Sequence, residues 1–258
     1  MADDFLLQEL DERGVLHLII NRPDKRNAFD DELVEALLIE LKEAAETPEV
    51  KVVQLEGSGD HFSAGADLGW MQRMIDNDYT ANLTDARQLA ELLDTLYHMP
   101  QPTVVLVQGA AFGGAVGLAS CCDMVIASDE AFFCLSEVKI GLIPATILPY
   151  VTRAIGERQA RRYCLSAEVI DAPQALNIGL AHKLVPTVQL KAAAANWTDQ
   201  VLANRHSAVL QAKDLLLAIS DHAIDDELLD ETSERIAAIR VSEDGQAGLN
   251  AFLQKKKK

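Results

Sequence analysis

The run TVVLVQGAAFGGAVGLASCCDMVIAS, residues 103–128, carries one charged side chain, Asp123, and constrains the fold more than any other segment. A stretch this apolar belongs either in a bilayer or in a core covered on both faces. Gln108, four glycines at 109, 113, 114 and 117, and the flanking Pro102 favour the core of a water-soluble protein. The run itself divides into a strand over 103–109, a glycine-rich turn, a short helix over 114–122 and a strand over 124–129.

The flanking sequence repeats this alternation. Strands are predicted at 15–20, where Leu16, Leu18 and Ile20 share a face, and at 51–57, 131–135 and 181–185. A helix capped by Asp30 or Asp31 runs to about Thr47, with Leu33, Leu37, Leu38 and Leu41 at helical spacing. Further helices are expected over 68–77 and 81–98. From Gly156 onward the chain reads as mostly helical, with amphipathic stretches at 187–204, 206–220, 225–240 and 242–254. The fold class is therefore α/β, a β/α core followed by a helical C-terminal section.

The formal net charge of −17 argues against a nucleic-acid surface, and it requires any anionic ligand to find a local basic patch. The start, MADDFLLQELDERG, is acidic where a secretory leader would be basic and then apolar. Cys121, Cys122, Cys134 and Cys164 form no C-x-x-C pair and have no neighbouring histidine cluster. They are expected to be buried, reduced thiols of a cytoplasmic protein without a metal site.

Two loops carry the chemistry. GAAFGGAVGLA places Gly113 and Gly114 between a strand and a helix, where exposed backbone N–H groups can hold developing negative charge. Close helix–strand packing is the competing explanation of that glycine pair. A second strand-to-helix turn, GDHFSAGADLGWM, residues 59–71, strengthens the first reading, because two such turns make a two-donor oxyanion hole. Neither loop is a nucleotide-binding G-x-G-x-x-G or a P-loop.

NRPDKRNAF, FSAGADL, VQGAAFGGAVGLASCCDMVIASDEAFF, SEVKIGLIP and RAIGERQARRYCLSAEVIDAPQALNIGLAHKLVP together resemble the crotonase, or enoyl-CoA hydratase/isomerase, superfamily over most of the chain. The resemblance implies a spiral of ββα units over residues 1–195 and a C-terminal helical section, 196–258, that supports trimers or pairs of trimers. It implies an acyl-CoA thioester as ligand, with coenzyme A entering as part of the substrate and no separate cofactor. By that match the N–H groups of Ala66 and Gly114 hold the thioester oxygen. Lys25 and Arg26 meet the CoA phosphates, and backbone at Ala28 and Ala64 meets the rest of CoA. Asp67 caps the helix that follows. Leu68, Trp70, Gly113, Gly117 and Pro144 border the acyl group, with Ala145 and Ile147 nearby.

Many hydratases of the superfamily use two glutamates, and here the first position is Gly117 while the second is Glu137. Glu137 lies between AFFCL and IGLIP, a setting that should desolvate the carboxyl and raise its pKa. One carboxyl suits a Δ3-Δ2 isomerase, and it also suits a hydratase in which the same group takes and returns the proton. A member that binds acyl-CoA or RNA without catalysis is a third alternative, disfavoured by the acidic balance and by Glu137. AGADLGWMQRM with LSEVKIGLIPATILPYV looks like the bacterial methylglutaconyl-CoA hydratases of leucine degradation. His61 is expected to support the AGAD loop and Asp123 to be structural. The basic tail FLQKKKK is read as a solvated charge run whose first lysine can reach a phosphate.

Overall fold

Residues 5–220 and 222–255 are described by a computed structural model. The alternation in VLHLII forms a strand that pairs antiparallel with the segment before it, so β1 (Leu6–Leu10) and β2 (Val15–Ile20) make an edge hairpin. Beyond β2 every neighbour is parallel: β3 (Val52–Gly57), β4 (Thr103–Val107), β6 (Met124–Ser128) and β9 (Lys183–Val185), giving the order β1-β2-β3-β4-β6-β9. A second sheet holds β5 (Ala110–Phe112), β7 (Phe132–Cys134) and β8 (Ile170–Asp171).

The strand expected over 103–109 thus ends at Val107, and the chain changes sheets at Gly109. Two features cause the break. Gly109 adopts φ +54°, where a Cβ would run into the Asp60 carbonyl and the His61 ring. The Gln108 side chain also ties this point to the end of β3 and the turn after it, its Nε2 donating to the carbonyls of Gly57 at 2.6 Å and Gly59 at 3.1 Å.

Helix α1 (Asp31–Glu46) is capped by Asp30, whose Oδ1 accepts from Leu33 N at 3.0 Å. Its Leu33, Leu37 and Leu41 bury against the sheet beside Leu92, Leu93 and Leu96 of α3 (Tyr79–Tyr97). Each such side chain contributes about 1.5–3 kcal/mol. Helix α2 (Leu68–Asp76) precedes α3, and α4 (Gly114–Cys121) follows β5. Helix α5 (Leu148–Ser166) bends at Gly156, φ +77°. Asp171 caps α6 (Ala172–Asn177) through Gln174 N at 2.8 Å. Asp123 fastens α4 to β4, its Oδ2 accepting from Thr103 N at 2.7 Å and Thr103 Oγ1 at 3.0 Å.

The chain divides into two compact units, residues 1–198 and 199–258. The first contains both sheets and most of α7 (Leu190–Leu202). The second is helical, with α8 (His206–Ile219), α9 (Asp226–Val241), which Asp225 caps, and α10 (Glu243–Lys255). Within it Arg235 pairs with Glu231 and Asp214, and Asp244 binds Arg205 and Ser207. The tail lysines 256–258 lie outside the described residues. One expectation about the cysteines fails: Cys121, Cys122 and Cys134 are buried, but Cys164 of α5 is only half-buried, packed against the edge of the core. Among the described residues no helix is long and apolar enough to cross a membrane.

Candidate active site

The AGAD turn is held by backbone on both sides. Toward β5, Phe62 N donates to Gln108 O at 2.8 Å, Ser63 N to Ala110 O at 3.0 Å and Phe112 N to Ser63 O at 3.1 Å. Toward the 22–29 loop, Ala64 N donates to Arg26 O, Phe29 N to Gly65 O and Asp67 N to Phe29 O, at 2.9, 2.8 and 2.6 Å. Phe29 and Ala66 form an isolated parallel bridge in which Phe29 bonds the residues on either side of Ala66. Parallel-strand geometry then turns the N–H of Ala66 away from Phe29. Ala66 is exposed, and among the described residues no acceptor meets its amide.

The second turn follows directly from β5. Gly113 N donates to Cys134 O at 3.0 Å, and Gly113 then turns through φ +53° to start α4 at Gly114. The Gly114 amide is therefore one of the donors that a helix start leaves without an intrahelical partner, and it lies at the positive end of the helix dipole. Gly113 and Phe112 thus tie the second amide to the same β5 that anchors the first.

Glu137 opens a 3-10 helix, Glu137–Ile140, after β7. Its Oε1 lies 3.1 Å from the point a Cβ on Gly113 would occupy, so the carboxyl stands next to the second turn. Its Oε2 is buried without a hydrogen-bond partner among the described residues. Burial raises the Glu137 carboxyl above its ordinary pKa, opposed in part by a bond from its own backbone amide. A carboxyl so placed can exchange a proton with a bound ligand.

Gly117, one turn below Gly114, is packed tight. A Cβ there would lie 2.9 Å from Ile147 Cβ and 3.3 Å from Leu93 Cδ2. The volume a carboxylate would need at position 117 is filled by Ile147, which is 1% exposed. Pro144 is buried in the loop before Ile147, with its carbonyl accepting from Leu148 N at 2.9 Å. Trp70 is buried, its Nε1 donating to Asp85 Oδ2 at 3.3 Å, whereas Leu68 is 81% exposed at the start of α2.

Of the residues assigned to CoA, Lys25 and Arg26 are exposed, Ala28 is buried and Ala64 half-buried. Lys25 Nζ lies 3.2 Å from Asp67 Oδ2. Asp67 caps α2 as expected, Oδ1 accepting from Gly69 N at 2.8 Å and Trp70 N at 3.2 Å. His61 Nδ1 accepts from Ala110 N at 3.1 Å, which fixes the proton on Nε2 and pins the turn to β5.

Asn27 is the functional residue that pattern reading passes over. It is 0% exposed at φ +54°, and its Nδ2 donates to Ser58 O at 2.8 Å and His61 O at 2.7 Å while Oδ1 accepts from Arg22 N at 2.8 Å. It clips the 22–29 loop to the segment that leads into AGAD. The one available signal was an asparagine at the end of a polar loop, a residue type that tolerates left-handed backbone.

An α/β fold in which two strand-to-helix turns leave amides open beside one half-buried carboxyl is that of the crotonase superfamily, a class that binds acyl-CoA thioesters. The sequence profile of the enoyl-CoA hydratase/isomerase family matches residues 11–258, and the chain belongs to that family. A crystal structure of an enoyl-CoA hydratase from Shewanella pealeana superposes with TM-score 0.94 at 47% identity, over 97% of this chain and 94% of that one. The 2,3-dehydroadipyl-CoA hydratase of Escherichia coli is 32% identical over 95% of this chain and 94% of its own length. The trans-2-decenoyl-[acyl-carrier-protein] isomerase of Streptococcus mutans is 32% identical over 74% of this chain and 72% of its own.

Proposed function

We propose that this protein adds water reversibly across the 2,3-double bond of an enoyl-CoA thioester, with Glu137 as the one carboxyl that carries out both proton transfers. The observation that carries this reading is the Glu137 carboxyl packed against Gly113, one residue before the open Gly114 amide, while Ile147 fills the place of a second acid. The ionised Glu137 takes a proton from water as the water oxygen bonds to C3. The electron pair of the double bond moves onto the thioester, and the resulting enolate oxygen is held by the Ala66 and Gly114 amides. Glu137 then returns the same proton to C2 on the same face, so one H and one OH are added and the carboxylate is regenerated. No cofactor is needed beyond the CoA that arrives with the substrate.

The acyl group to test first is 3-methylglutaconyl, from leucine degradation, on the strength of the AGADLGWMQRM and IPATILP segments. A cytoplasmic site is part of the reading and is supported by Cys121, Cys134 and Cys164, which form no disulfide among the described residues. Assembly as trimers or pairs of trimers is also part of it. Exposed Leu216, Leu229, Ile236, Leu249 and Phe252 in residues 199–258 provide apolar surface for such contacts. Δ3-Δ2 isomerisation is the second reading, favoured by the single carboxyl. An absorbance assay with purified protein separates them: loss of the conjugated thioester from 3-methylglutaconyl-CoA and crotonyl-CoA marks a hydratase. Gain of conjugation from a 3-enoyl-CoA without hydration marks an isomerase.

A further inference from the structure

Asp67 joins three parts of the site. Its N–H holds Phe29 O at 2.6 Å, one residue beyond Ala66. Oδ1 caps α2 through Gly69 and Trp70, and Oδ2 lies 3.2 Å from Lys25 Nζ. The cap and the ion pair therefore use different oxygens and can be separated by substitution. Lys25 is 49% exposed and Asp67 13%, so the lysine is open to a ligand while its partner stays fixed at the helix start. Burial would raise the Asp67 carboxyl, but Lys25 and the two amides outweigh it and keep the group below its ordinary pKa, fully charged at neutral pH.

We propose that Asp67 restrains Lys25 and thereby sets the affinity for acyl-CoA: a CoA phosphate must take the lysine from the aspartate. This rests on the placement of CoA at residues 25–28 under the proposed function. An ion pair this open is weak enough for a multiply charged phosphate to displace. The aspartate nonetheless opposes binding twice, by holding the cation and by repelling the phosphate. In a chain of net charge −17 the surrounding negative field adds to that cost. The charge costs affinity, and it keeps an exposed lysine aimed at one place when the site is empty.

Asp67→Asn keeps an Oδ1 for the α2 cap and removes the charge. Calorimetric titration compares butyryl-CoA with S-butyryl-pantetheine, which lacks the phosphorylated nucleotide. The variant should bind butyryl-CoA about fivefold more tightly, with the gain shrinking at high salt, and should bind butyryl-pantetheine as the parent does. Asp67→Ser, another neutral cap, should reproduce the gain, and Trp70 fluorescence, read in a Trp197→Phe background, reports that α2 is intact. Equal or weaker butyryl-CoA binding in both variants, with Lys25→Ala weakening it, overturns the restraint and leaves the CoA placement standing. Unchanged butyryl-CoA affinity in Lys25→Ala overturns the CoA placement, and the restraint with it. An equal gain for butyryl-pantetheine would also contradict the proposal, because the effect would then not pass through the phosphates.

Discussion

Ile147 occupies the space that any side chain at Gly117 would need, its Cβ standing 2.9 Å from the position of a Cβ there. The glycine and the isoleucine are therefore one packing decision, and together they leave no room for a carboxyl at position 117. Gly117→Glu alone should overpack the α4–α5 contact and cost about 1–3 kcal/mol in urea unfolding. Gly117→Glu with Ile147→Ala should recover part of that loss. No recovery in the double variant would show that Ile147 is not what excludes the acid.

Gly114→Pro should remove one oxyanion donor with little harm to the fold. Position 114 is the first residue of α4, where proline is well tolerated, and a Cβ there meets only Phe29 ring carbons at 3.5 and 3.6 Å. Turnover should fall about 100- to 1,000-fold in a protein whose circular dichroism is unchanged.

Asn27→Ala should cost about 3 kcal/mol or more in urea unfolding, because it removes the two hydrogen bonds to the Ser58 and His61 carbonyls and places alanine at φ +54°. Asn27→Gly removes the backbone penalty but not the lost hydrogen bonds, so it should recover only part of the stability.

The raised Glu137 pKa fixes the sign of two pH effects. Hydration needs the ionised base, so kcat/KM should fall on acidification at a pH above the ordinary glutamate range. For stability, a carboxyl whose folded pKa is raised favours the folded state below its unfolded pKa, and that contribution is lost as pH rises through the folded pKa. Glu137→Gln should therefore melt higher than the parent at neutral pH, with the difference closing as pH falls toward the ordinary glutamate range. A constant difference in melting temperature across that span would contradict the burial argument.

Period and punctuation made much of this legible in the sequence. β2 and α1 follow their apolar spacing to within a residue, and Asp30 and Asp67 cap where a short polar side chain before an apolar helix should. β1 was missed because LLQEL is an exposed edge strand without alternation, its pattern visible only against β2. The sheet change at Gly109 was missed because 103–112 is uniformly apolar, and hydropathy carries no sign of a left-handed bend. Glu137 and the two glycine turns were readable as motifs. Their convergence depends on long-range backbone pairing, Ser63 with Ala111 and Phe29 with Ala66, that no local pattern encodes. The Lys25–Asp67 contact joins residues of two loops and was hidden for the same reason.

Glu137 as the proton carrier is tested most directly by the hydration rate of Glu137→Gln beside its affinity for a saturated acyl-CoA. Glutamine keeps the shape and a hydrogen-bonding amide but cannot take a proton. The predicted result is hydration reduced by about 100-fold or more, with butyryl-CoA bound as tightly as in the parent, since the proposed function assigns binding to the Ala66 and Gly114 amides and the 25–28 loop. Hydration at a near-parental rate in a folded Glu137→Gln protein would mean that another group is the base, and would contradict the mechanism.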